Sequence, residues 1–238
     1  MVENKNDYLN EVIFHIRYSP ILELYCDDRS AAADFQNVVA CEFGDDVQFQ
    51  ESRKFSVKVT GTGKTIENKT NDEFVTWKFI SNSGKYIALN GKELILSYSA
   101  NGYSNFTNFM SDINLIIMAL KKYSINQINC LGLRYINQIE INDLAIDQYI
   151  NPNLLFVEKF HDDNVIQSIT RTEFEMEDYI LAFQFGLFNP QYPNMPTNKE
   201  FILDYDCILN NDEDIDLIPF YLKDMHDIIS NRFKKDMI

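Results

Sequence analysis

The sequence predicts an α+β fold, with antiparallel sheet packed against two long amphipathic helices. Three observations predict it. Stretches such as EVIFHIRYSP and INCLGLRYINQIEI alternate apolar and polar residues with the period of two expected of half-buried strands. Two other stretches, around Phe106–Leu120 and from about Asp216 onward, space their apolar residues three and four apart, which makes one apolar stripe of a helix. The composition, 45% hydrophobic and 13% aromatic with 8 Gly and 6 Pro in 238 residues, is that of a globular chain with a substantial core.

In chain order, the first strand places Val12, Phe14, Ile16 and Tyr18 on one side, and Pro20 stops it. The segment from Ile21 to about Phe43 has helical spacing at Leu22, Tyr25, Ala32, Phe35, Val38 and Val39, with a break expected near Asp27 and Asp28. Gly44 closes it. Strands are expected in VQFQESRKFSVKV, EFVTWKFIS and KYIALNGKELILSYS. Asn90-Gly91 forms a tight turn inside the last, and GTGKTIENKTND is a polar loop between the first two. The helix that follows carries Phe106, Phe109, Met110, Ile113, Ile116, Ile117 and Leu120 on its apolar face. Ser104 is its expected cap, and Lys121 and Lys122 suit its C-terminal dipole.

The second half repeats this order. A strand places Leu131, Leu133, Tyr135, Ile139 and Ile141 on one side, and a short helical piece follows around Asp147–Tyr149. The strands VIQSITRTEFEM, DYILAFQFGLF and EFILDYDCIL come next, the last two separated by NPQYPNMPTN. A final helix lines its core side with Leu217, Ile218, Tyr221, Leu222, Met225, Ile228, Ile229 and Phe233, and holds Pro219 in its first turn. Both halves therefore read strand, helix, three strands, long helix. This suggests a tandem duplication of a β-α-β-β-β-α unit, 1–126 and 127–238, as two lobes of one compact body.

The formal net charge of −15 argues against a phosphate-backbone binder, which needs clustered Lys and Arg. It is read as solubility or as a low-GC bacterial composition, or as a surface that meets a basic partner. Cys26, Cys41, Cys130 and Cys207 form no C-x-x-C pair and sit in apolar patterns, so a thiolate zinc site has no support. The start MVENKNDYLN lacks a basic and then apolar leader, and LIIMAL is the longest apolar run. A cytosolic protein without a membrane span is expected, with no cofactor and no feature that sets an oligomeric state.

Four groups of residues invite a chemical reading. TGTGKT at Thr60–Thr65 imitates a phosphate-binding loop, but Lys58 stands where the first glycine belongs and a strand follows instead of a helix. It is read as a hairpin loop. Asp204 and Asp206 fall on one strand face and could hold a divalent cation with help from Asp212, Glu213, Asp214 or Asp216. The plainer readings are an ion pair or a solvated face, and acids that suit the N-terminus of the last helix. Arg134, Gln138, Gln167, Arg171, Gln184, Asp204 and Asp206 could share one polar sheet face, joined by His15 and Arg17, with Arg134 paired to Asp204 or Asp206. His15, His161 and His226 show no metal-ligand spacing, and His226 reads as a satisfied residue at the edge of a core stripe.

Several short motifs carry a resemblance. These are Gly-Leu-Arg-Tyr-Ile-Asn at Gly132–Asn137, then Leu203, Asp204, Tyr205 and Asp206, then His226 followed by Phe233, with Trp77 and Phe79 earlier. In these the chain resembles an uncharacterised, sporadically distributed bacterial family, over nearly its whole length. The resemblance implies no activity. The family's scattered occurrence implies carriage on mobile elements and roles in defence or counter-defence.

The sequence reading is a non-catalytic binding protein acting on a protein or nucleoprotein partner with a basic surface, for example as an inhibitor of a defence nuclease complex. Arg134, Asn137, Arg171, Asp204 and Asp206 are the expected binding residues. The alternative is a metal-dependent enzyme or ligand sensor that uses Asp204 and Asp206 for phosphoryl or nucleotide chemistry.

Overall fold

The computed structural model describes residues 8–25, 29–43, 47–62, 65–141, 146–155, 165–195 and 197–238, and all their side chains but those of residues 25, 41–43, 54–62 and 65–74. The first half contains β1 (Leu9–Arg17), α1 (Leu22–Tyr25), α2 (Arg29–Phe43), β2 (Gln48–Thr62), β3 (Thr65–Ile80), β4 (Lys85–Leu89), β5 (Glu93–Ser99) and α3 (Phe106–Lys121). The second contains β6 (Gln127–Ile128), β7 (Cys130–Glu140), β8 (Ser168–Met176), β9 (Tyr179–Phe188), β10 (Glu200–Leu209), β11 (Glu213–Asp214) and α4 (Ile218–Asp236). The fold class is α+β, built on an antiparallel sheet of nine strands in the order β2-β3-β4-β5-β1-β7-β10-β9-β8. β6 and β11 pair separately.

The chain divides into two compact units. An N-terminal unit holds His15–Asn129 with Asp212–Asp216. A C-terminal unit holds Cys130–Asn211 and Leu217–Ile238 with the chain up to Phe14. The connectivity of the two halves is alike. The opening strand of each lies beside that half's last long strand, β1 by β5 and β7 by β10, and the preceding strands meander outward. The halves differ in two respects. The first has four strands after its helices, and the second has only 3-10 turns at Ile146–Gln148 and Pro152–Leu154 where the first has α2.

In the N-terminal unit, the described residues of the stretch expected as a polar loop are strand. β2 and β3 continue past it in register from Gln48↔Ile80 to Thr62↔Thr65, with a shift between Lys54 and Phe55. Pairing along a long hairpin outweighs the polar composition of GTGKTIENKTND, because each added residue extends an existing ladder. Trp77, Phe79, Ile87, Leu89, Leu94 and Leu96 form the buried face. α2 meets it through Phe35, whose ring lies 5.5 Å from that of Phe79. α3 meets it through Phe109, 5.2 Å from Tyr98 and edge-on to it. Its cap is Asn105, whose side chain accepts from the Asn108 amide, and Ser104 instead accepts from the Asn108 side chain. Asp112, on the same helix, is buried with its Oδ2 accepting from the Lys85 ammonium (2.6 Å) and the Tyr98 hydroxyl, so this inward acid has a counter-charge.

In the C-terminal unit, α4 packs on β7 and β10. Ile218, Leu222, Met225 and Ile229 are buried along its inner stripe, as the spacing predicts. Tyr205 stacks on Phe183, with centroids 4.7 Å apart, and meets the edge of Phe233 at 6.2 Å. Its hydroxyl donates to Asp236 Oδ2 (3.1 Å), and Arg232 Nε donates to the same oxygen (2.8 Å). The Arg232 guanidinium also lies 5.1 Å above both the Phe174 and Phe183 rings. Asp236 thus ties the last turn of α4 to the sheet. Asp236→Ala leaves a buried hydroxyl and a half-buried guanidinium without their acceptor, and should cost about 2–4 kcal/mol. A urea unfolding curve with an unchanged midpoint would contradict this.

Candidate functional site

Alternation along β7 and β10 sorts their residues into two sets. Leu133, Tyr135, Asn137, Leu203, Tyr205 and Cys207 turn toward α4, while Arg134, Gln138, Asp204 and Asp206 turn to the opposite, open face. The register places Arg134 directly across from Asp206, yet its guanidinium leans one step along the sheet. It grips Asp204 with two bonds, Nε to Oδ1 at 2.8 Å and Nη2 to Oδ2 at 2.6 Å. The Asp204 side chain is 4% exposed and that of Arg134 is 39% exposed. The bond to Asp204 raises the Arg134 pKa above its ordinary value.

Asp206 lacks that bond. Burial pushes its carboxyl above the usual range and the nearby Asp204 charge adds to the rise, against the pull of Arg134 and Arg171. Arg171 stands in register with Gln184 and Asp204 across β8, β9 and β10, and its guanidinium bonds Glu173 Oε1 at 2.9 and 3.1 Å. The structure therefore brings Arg134, Arg171, Asp204 and Asp206 to one face.

Asn137 is a correction. It is 6% exposed, lies on the α4 side, and donates from Nδ2 to the Leu203 carbonyl at 3.2 Å. The reason is parity, since an odd and an even position on one strand cannot share a face. His15 and Arg17 belong to the N-terminal unit, where His15 lies 3.6 Å from Glu93 and burial lowers its pKa. Gln167 precedes β8 and is exposed.

The motif residues hold one another. Arg134 binds Asp204, Asn137 binds the carbonyl of Leu203, and the Tyr135 hydroxyl lies 3.0 Å from His226 Nδ1. Burial lowers the His226 pKa, which favours the neutral ring beside Tyr135. Trp77 and Phe79 are core residues of the N-terminal unit, and the Trp77 indole nitrogen has no hydrogen-bond partner among the described residues. Cys130 and Cys207 are free and buried, and burial pushes the Cys207 thiol up to about 12, which makes it unreactive. His161, Gly63 and Lys64 lie outside the described residues.

A divalent cation at Asp204 would have to displace Arg134 from both carboxylate oxygens. Among the described residues, no group of three or more His, Cys, Asp or Glu is arranged to hold a metal. The acids before α4 have other partners. Asp214 accepts from the Asp216 amide at 2.8 Å, and Asp216 pairs with Lys121.

Residues that the motifs do not mark complete the face. Glu173 lies in one row with Ala182, Asp206 and Arg134 across four strands. Glu175 shares its parity on β8, and Glu200 and Glu140 stand opposite each other at the far end. Glu11 on β1 is close enough to act on Arg134. Glu140, Glu173 and Glu175 are exposed, and Glu11 and Glu200 are half-buried. Carboxylates thus outnumber guanidiniums on this face. The signal that finds them is parity with Arg134 and Asp204.

No protein-family model matches the chain. No curated protein matches it either. Among the described residues no helix is long and apolar enough to cross a membrane.

Because the folded pKa of Asp206 is raised, its contribution to stability is fully present below the unfolded value of 3.8 and is lost as pH rises through the folded value. Asp206→Asn should therefore melt at or above the wild-type temperature at pH 7, and the two should converge below pH 3.8. A variant less stable at pH 7 than at acid pH, relative to wild type, would contradict the assignment.

Proposed function

We propose that the chain is a non-catalytic binding protein that engages a basic protein or nucleoprotein partner through the acidic open face of its C-terminal unit. The observation that carries this reading is the placement of Glu11, Glu140, Glu173, Glu175, Glu200 and Asp206 on one face where, among the described residues, the guanidiniums are those of Arg134 and Arg171, each already engaged by an acid. Such a field steers a cationic partner and repels a phosphate backbone. Organised ion pairs on the central strand keep the face rigid, so little order need be acquired on binding.

The scattered distribution of the family that the chain resembles supports a role in defence or counter-defence. There, a basic groove built for nucleic acid is a suitable target, and inhibition of a defence nuclease complex follows from occupying it. No specific observation favours the metal-dependent alternative, given the occupied Asp204.

Charge reversal tests the reading. Glu173→Lys with Glu175→Lys, both exposed, should lower recovery of a stoichiometric basic partner from the native host by about tenfold or more at near-physiological salt. The yield should be the same with and without nuclease treatment. Equal recovery by the variant and the wild type would contradict it.

A further inference from the structure

β8 is the last strand in the sheet order, so one of its sides has no strand partner among the described residues. Its ladder with β9 runs without a register shift from Ser168↔Leu187 to Met176↔Tyr179. The segment Arg171–Glu173 is exposed, and the strand, SITRTEFEM, contains no proline, lysine or bulge. Those are the devices that usually blunt a sheet edge. Only its charges remain to select what pairs there.

The turn decides which backbone groups face outward. Glu177 and Asp178 alone separate Met176 from Tyr179, and Glu177 has a φ of 45°. In a hairpin with a two-residue loop, the flanking pair exchanges both hydrogen bonds. Counting back by two, Phe174, Thr172 and Thr170 also bond to β9. Ile169, Arg171, Glu173 and Glu175 then direct their N–H and C=O groups away from the sheet. The side chains of these residues stand on the acidic face, and Arg171 is already held by Glu173.

We infer that β8 is a docking edge for an extended, basic protein segment, which adds as one more strand and sets Lys or Arg at alternate positions against Glu173 and Glu175. This mode of docking rests on the acidic-face reading and adds backbone pairing to it. Opposite charges across a strand pair stabilise it and like charges oppose it. A second copy is the poorer occupant, because its β8 brings the same carboxylates and its net charge is −15.

The test uses the full chain and a synthetic peptide of alternating lysine and valine, matched to β8 in length. Two controls accompany it, a twin N-methylated at alternate residues and a peptide of alternating glutamate and valine. Binding is titrated, amide hydrogen exchange is read along β8, and sedimentation gives the oligomeric state. The basic peptide should slow exchange at Arg171, Glu173 and Glu175 by about tenfold or more. The N-methylated twin should bind about tenfold more weakly or worse, as should the basic peptide to Glu173→Gln/Glu175→Gln. Ile169→Pro, which removes an outward donor, spares the β9 ladder and changes no charge, should weaken the basic peptide but not the little binding left to its twin.

Equal binding of the peptide and its N-methylated twin would overturn the docking edge and leave the acidic-face reading standing. Binding by neither, or equally by the acidic peptide, would overturn both. Slow exchange at these amides in the free chain would also overturn the inference, with a second copy as the occupant if the chain sediments as a dimer.

Discussion

A carboxylate set in the middle of a sheet must find a counter-charge or be expelled, and the C-terminal unit is organised by the way Asp204 does so. β7 and β9 flank it, which removes water and leaves Arg134 as its partner across the sheet. Taking both charges out of water is costly, and only good geometry offsets it. The two-bond grip supplies that geometry. A slip of one residue between β7 and β10 would also turn Arg134 into the apolar layer beneath α4, so the pair specifies register as well as contact.

The opposite face obeys the same constraint. When Arg134 and Asp204 point outward, their neighbours Tyr135 and Tyr205 must point inward, where they meet His226 and Asp236 of α4. One strand pairing thus places an ion pair on one side and two helix contacts on the other. Arg134, Tyr135, Asn137, Leu203, Asp204, Tyr205 and His226 are tied together by this mutual dependence. It also shapes the charge of the open face. The central carboxylate is neutralised by Arg134, while on β8 Glu173 holds Arg171 and Glu175 is exposed.

Much of this was legible in the residues. Period-two stretches locate β1, β7, β9 and β10, and the three-and-four stripes locate α3 and α4, because a single buried face leaves a periodic record. The long β2–β3 hairpin was not legible. Its outer part is polar, and its pairing depends on a partner strand more than on its own composition. Asn105 displaced Ser104 as the cap because the two residue types are close to equal in that role and the helix begins one residue later. At the site, alternation places Arg134, Asp204 and Asp206 together, and applied to Asn137 it would have removed that residue. Which aspartate Arg134 takes depends on a diagonal reach that spacing does not encode.

A double-mutant cycle on Arg134 and Asp204 tests this account most directly. Arg134→Met leaves a buried carboxylate alone, and Asp204→Val leaves the guanidinium without its partner. The first should cost about 2–4 kcal/mol in urea unfolding and the second less, since Arg134 can reach water. The double variant, with two apolar side chains in place of the pair, should recover most of that loss. Costs that simply add would contradict the account, because they would show that the two residues do not depend on each other.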